Sequence, residues 1–148
     1  MKYTEAEIGR IFVIRLEDGE ELPETLEEFA LGKEVESGMC LLIGGMRSEG
    51  EMVTGPRDQD ARPISPIINQ LAGVHEILGA GTIFPDTNGS PKLHMHAAAG
   101  REGKTTSGCI RPGIEIWKVG EVILLELINC AGCREENEKL GFELLNIA

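Results

Sequence analysis

Two of the chain's three histidines stand two residues apart, in Leu93-His94-Met95-His96, and Cys109 follows beyond a glycine-rich turn. Imidazole nitrogen and thiolate sulfur are donors that divalent transition metals favour. Alternation of apolar and polar residues through this tetrapeptide predicts a β-strand, with both imidazoles on one face roughly 6–7 Å apart along the chain. Arg101-Glu102-Gly103-Lys104 predicts a tight turn, and Thr105–Ile110 a returning strand. A turn centred between Glu102 and Gly103 places Cys109 opposite His96 and Arg111 opposite His94. Opposed side chains of an antiparallel pair share a face with Cβ atoms about 5 Å apart. Two imidazoles and a thiol therefore converge, with a guanidinium beside them. Three protein donors leave the fourth tetrahedral position open, as in catalytic or ligand-binding zinc sites, and iron or nickel would tolerate the same donors. The donors bind when the imidazoles are neutral and the sulfur is ionised, so metal affinity falls in acid. The plain alternative is a chance His-x-His pair that satisfies only local hydrogen bonds.

The elements around this hairpin must hold it. Asn88-Gly89 is a hairpin signal between the histidine strand and a preceding strand, Val74–Phe84, whose two glycines suggest the close approach of another backbone. A two-residue turn there puts Gly81 opposite His96 and His75 near Glu102. His75 is then too distant within one sheet, unless a bulge or a neighbouring subunit returns it. Ile8–Leu16 and Ser37–Met46 read as further strands, as do Ile114–Val119 and Glu121–Ile128. Glu20–Gly32 predicts the one principal helix, with Pro23 in its first turn and Leu22, Leu26, Phe29 and Ala30 on one face. Arg47–Arg62 reads as irregular or edge structure, and Pro63–Leu71 as a loop with one helical turn. Asn129–Ala148 reads as a polar helical turn followed by a last strand over Phe142–Ile147. The fold class that follows is α+β: a single domain over 1–148 with a mainly antiparallel sheet.

Composition narrows the function. The 148 residues, 41% hydrophobic and 26% charged, suit one soluble domain. No apolar run reaches membrane-spanning length, and Met1–Glu7 lacks the apolar core of a signal peptide, so no membrane partner and a cytoplasmic location are expected. A formal charge of −11 argues against general nucleic-acid binding. The region from Lys92 to Lys118 is locally basic, however, with five basic residues against two acidic ones. That imbalance favours a small anionic ligand, with Arg111, Lys104 and, in second place, His75 as ligand-binding candidates. Cys130-Ala131-Gly132-Cys133 lacks a second pair at zinc-finger spacing, so it reads as a turn with two reduced thiols. Cys40 sits in an apolar run as a small buried hydrophobe.

The His94–His96 strand, the turn Gly100–Lys104 and Ser107-Gly108-Cys109-Ile110 resemble the plants-and-prokaryotes conserved (PPC) domain. Gly9-Arg10, Arg15-Leu16, the glutamate-rich helix, Gly44-Gly45 and Glu121-Val122-Ile123 fit the same order. The resemblance implies an antiparallel sheet with helix, assembled as a homotrimer. It maps the family's metal-site histidines onto His94 and His96, with Cys109 replacing a third histidine. Prokaryotic members often carry a predicted DNA-binding label. In plant relatives AT-hooks outside the domain contact DNA, and no Arg-Gly-Arg core occurs here. The expectation is a trimeric domain of unknown process with a metal or small-ligand site, zinc or another divalent transition metal being the cofactor. The alternatives are a DNA-associated regulator and a metal-dependent enzyme in which Arg111 or Lys104 steers a small anionic substrate.

Overall fold

The computed structural model describes residues 1–147. Eleven strands and one helix follow in the order β1 (Glu7–Glu17), β2 (Glu21–Leu22), α1 (Glu24–Gly32), β3 (Gly38–Met46), β4 (Glu51–Pro56), β5 (Pro66–Gln70), β6 (His75–Pro85), β7 (Pro91–Arg101), β8 (Lys104–Ile110), β9 (Ile114–Ile128), β10 (Cys133–Asn137) and β11 (Phe142–Asn146). The main sheet runs β1-β9-β3-β6-β7-β8-β4-β5, with β2 on the early part of β9 and β10-β11 as a separate hairpin. Among the described residues every strand ladder is antiparallel, and one isolated parallel bridge joins Asp86 to Arg134. The α+β expectation holds, with a single domain and one helix.

Period-two patterning divides the sheet into two unlike faces. Cys40, Leu42, Ile77, Met95, Ala97, Val122 and Leu124 point to one side and are buried. Leu26 and Ala30 of α1 join that core, and Phe29 meets Phe12 edge to face with ring centroids 5.3 Å apart. Burial pushes the Cys40 thiol up to about 12, as suits a residue that serves as a hydrophobe. No described helix is long and apolar enough to cross a membrane.

Several local expectations change. The helix begins one residue after Pro23, and Leu22 is taken instead by β2, where it pairs with Ile114. Ile114–Val119 and Glu121–Ile128 form one continuous strand rather than two, bent where its register against β3 shifts beside Gly44. A Cβ on Gly44 would lie 2.5 Å from the Val119 carbonyl oxygen, so only glycine allows the two backbones to come so close. Strand β4 lies within the Arg47–Arg62 stretch, and the loop with a helical turn expected at Pro63–Leu71 is corrected to the strand β5. Pro66 occupies the first position of β5 at the outer edge of the sheet, where a missing N–H breaks no ladder. The helical turn expected after Asn129 is corrected to a hairpin, closed by Leu140 N–H and Gly141 N–H donating to the Asn137 carbonyl.

Candidate metal centre

Strand β7 carries the histidines. Met95, Ala97 and Ala99 face the core, so the intervening His94 and His96 stand on the outward face. Their rings are 5.0 Å apart at the centroids and inclined at 80°. The β7–β8 turn places Glu102 at φ 51° and Gly103 at φ 73°, consecutive left-handed conformations that fit a tight two-residue hairpin. Arg101 therefore pairs with Lys104, and His96 with Cys109. The ring nitrogens of His94 and His96 and the Cys109 sulfur offer one donor atom each within 4.8 Å of one another.

Glycines set this geometry from both sides. A Cβ on Gly81 would sit 2.9 Å from the His94 carbonyl oxygen, and one on Gly108 only 2.2 Å from the Val53 carbonyl oxygen. The bare Gly108 thus lets β4 close against β8, pairing Val53 with Cys109.

The other candidates disperse. Strand β8 ends at Ile110, so Arg111 does not pair with His94, although its charge is felt there and at Cys109. Lys104 lies at the far end of β8, five residues and roughly 17 Å from Cys109. His75 pairs with Met46, faces the core and lies 2.8 Å through Nδ1 from the Gly73 carbonyl, remote from the cluster within the chain. The β6–β7 connection is also longer than a two-residue turn. Asp86 N–H donates to the Ser90 carbonyl, and Asp86 Oδ1 accepts from the Asn88 and Ser90 N–H groups. Consequently Ala80, rather than Gly81, stands opposite His96, and Thr82 stands opposite His94.

Arg134, on β10, was not among the sequence candidates. It is only 5% exposed. Its Nη2 donates to the Thr82 carbonyl at 3.1 Å and to Thr82 Oγ1 at 3.0 Å, and its Nε donates to the Lys92 carbonyl at 3.2 Å. Because Thr82 is the cross-strand partner of His94, this guanidinium lies beside the histidines. No local pattern distinguishes Arg134 in the sequence, since the contact joins residues about fifty positions apart.

Electrostatics match the arrangement. Desolvation, then the charges of Arg134, His96 and Arg111, holds the His94 pKa below its ordinary value. The imidazole is thereby kept in the neutral form a metal needs. Burial raises the Cys109 thiol, while Arg111 and Arg134 pull it back. The thiol donates to the Ile110 carbonyl at 3.6 Å. A bound metal would displace that proton and ionise the sulfur.

Comparison with known proteins gives the setting. The family model described as the Plants and Prokaryotes Conserved (PCC) domain matches residues 3–128. A plant- and prokaryote-conserved protein from Pyrococcus horikoshii superposes with a TM-score of 0.85 at 22% identity, covering 100% of this chain and 99% of its own. A protein from Archaeoglobus fulgidus, described as metal-containing, also gives 0.85 at 26% identity, with 99% of each chain covered. The bifunctional protein GlmU from Synechococcus sp. (strain JA-3-3Ab) is 27% identical over 140 residues, or 93% of this chain. The chain spans only 20% of the length of that relative.

Proposed function

This chain belongs to the Plants and Prokaryotes Conserved domain family, and we propose that it is a metal-binding module whose centre is held by His94, His96 and Cys109. The observation that carries the reading is the convergence of three donor atoms within 4.8 Å on one sheet face. In a tetrahedral zinc site with ordinary bond lengths, donor atoms stand about 3.3–3.6 Å apart. Small side-chain rotations cover that difference, so the donor set fits zinc. The similar Archaeoglobus protein described as metal-containing supports the same reading. When bound, the metal supplies a Lewis-acidic open position for a small ligand. The chain itself orients the imidazoles, through the β7 pleat, and brings up the thiol through the β7–β8 register.

Elemental analysis of the purified, zinc-loaded protein tests the centre. About one zinc per chain is expected in the wild type, with loss of zinc in the His94→Ala, His96→Ala double variant. A zinc-loaded wild type without stoichiometric metal overturns the reading.

The module works, we further propose, as a homotrimer through the outward sheet face. Val13 pairs with Ile123, Ile123 with Leu41, Leu41 with Ala80 and Ala80 with His96, one row across five strands. Val13 is 81% exposed, and Leu78, two residues from Ala80 on β6, is 61% exposed, an apolar surface of the kind that marks an interface. Sedimentation should give three chains of 16.1 kDa, and Leu41→Glu should shift the protein to monomer. A monomeric wild type at micromolar concentration would remove the assembly claim.

A further inference from the structure

The segment beyond residue 128 lies outside the family match, yet it delivers a cation to the candidate centre. A guanidinium has five N–H hydrogens. Three of those on Arg134 are taken by the Thr82 carbonyl, Thr82 Oγ1 and the Lys92 carbonyl. Those on Nη1 have no protein acceptor among the described residues. The charge is equally unmatched. No described carboxylate lies within ion-pair distance of Arg134, and Glu143 and Glu27 act on it only through their fields. The Phe84 ring lies 5.9 Å from the guanidinium carbon and helps to shelter it.

A buried cation whose charge no carboxylate offsets is costly. A guanidinium pinned by oxygens on Nε and Nη2, with Nη1 unspent, can still receive one oxygen of an anion through a charge-assisted hydrogen bond. Arg134 is also fixed to Thr82, whose side chain shares a face with His94 across the β6–β7 pair. The charge of Arg134 is felt at both His94 and Cys109, which places the guanidinium in the neighbourhood of the donor cluster.

We propose that Arg134 is an anion-recognition residue of the His94/His96/Cys109 centre, and that the ligand taken there is a small oxyanion, one oxygen on Nη1 and another at the open metal position. The inference rests on the metal reading for its second contact, but the first contact stands without it. Arg111 adds charge, whereas Arg134 supplies direction. Carboxylate-borne and phosphate-borne oxyanions share this chemistry, and the two are separated by the probe.

Calorimetric titration of acetate and of inorganic phosphate into zinc-loaded protein tests this, comparing wild type with Arg134→Lys and Arg134→Gln. The expected result is binding of at least one probe by the wild type, a tenfold or greater loss in Arg134→Gln, and a smaller loss in Arg134→Lys. Zinc content should stay equal in all three. Equal anion affinity in wild type and variants, or no anion binding by the wild type, overturns the proposal. If zinc fails to load, the metal reading falls alone, and the same comparison on metal-free protein still decides the role of Arg134. If Arg134→Gln does not fold, the guanidinium resonances of the wild type decide instead: they should shift on adding the bound probe, and unmoved resonances refute the contact.

Discussion

Cys109 is the residue that most individualises this centre, because it stands where the family resemblance expects histidine. A thiolate donor leaves a signature that imidazole cannot. Cobalt loaded in place of zinc should give a sulfur-to-cobalt charge-transfer band in the near ultraviolet. That band should vanish in Cys109→His while about one metal per chain is retained, and metal itself should be lost in Cys109→Ala. A wild-type cobalt spectrum without the band would place the metal elsewhere. The convergence of His94, His96 and Cys109 was legible in the sequence because it needs only strand alternation and one tight turn. Arg134 was illegible for the opposite reason. Its partners, Thr82 and Lys92, are brought to it by tertiary packing of the last hairpin, and nothing near it in sequence records that.

Among the elements, those with clean period-two patterning were read well, and those whose role depends on neighbours were not. β6, β7 and β8 follow from their own residues. β5 does not, since an exposed run with two nearby prolines becomes a strand only through pairing with β4. The β6–β7 register differed by one residue because the side chain of Asp86 builds a wider turn than Asn88-Gly89 suggests. One residue suffices to exchange Gly81 for Ala80 opposite His96. The contact between β4 and β8 is correspondingly sensitive. Gly108→Ala should destabilise the fold by about 2 kcal/mol or more, measured by denaturant unfolding, because the new methyl meets backbone that cannot move aside. The same variant should weaken zinc binding, since displacing β8 moves Cys109. Unchanged stability in Gly108→Ala would mean that β4 is not held against β8 as described.

At the scale of the whole molecule, two features govern behaviour in solution: its charge and the seam between first and last core strands. A net charge of −11 predicts no retardation of duplex DNA at physiological ionic strength, whatever the zinc content. The seam is fastened by Glu126. Where the register of β1 slips between Ile8 and Ile11, the buried Glu126 carboxylate accepts from Arg10 N–H and Nε at 2.8 Å each and from Nη2 at 2.6 Å. These hydrogen bonds hold its pKa down at about 2 against an ordinary 4.5. A carboxyl lowered on folding stabilises the native state above its unfolded value, and that contribution drains away as pH falls from 4.5 towards 2. Glu126→Gln should therefore lower the unfolding temperature at neutral pH and flatten its decline across the acid range. Parallel acid profiles for wild type and variant would show that the pair contributes nothing to this dependence. The seam also has a temporal side. β9 is flanked by β1 and β3, and Glu7 meets Ile128 at the end of its ladder. On the ribosome β1 emerges before β9 and stays unpaired until β9 has been synthesised, so its exposed Ile11 and Val13 must be kept from other chains while the intervening strands emerge.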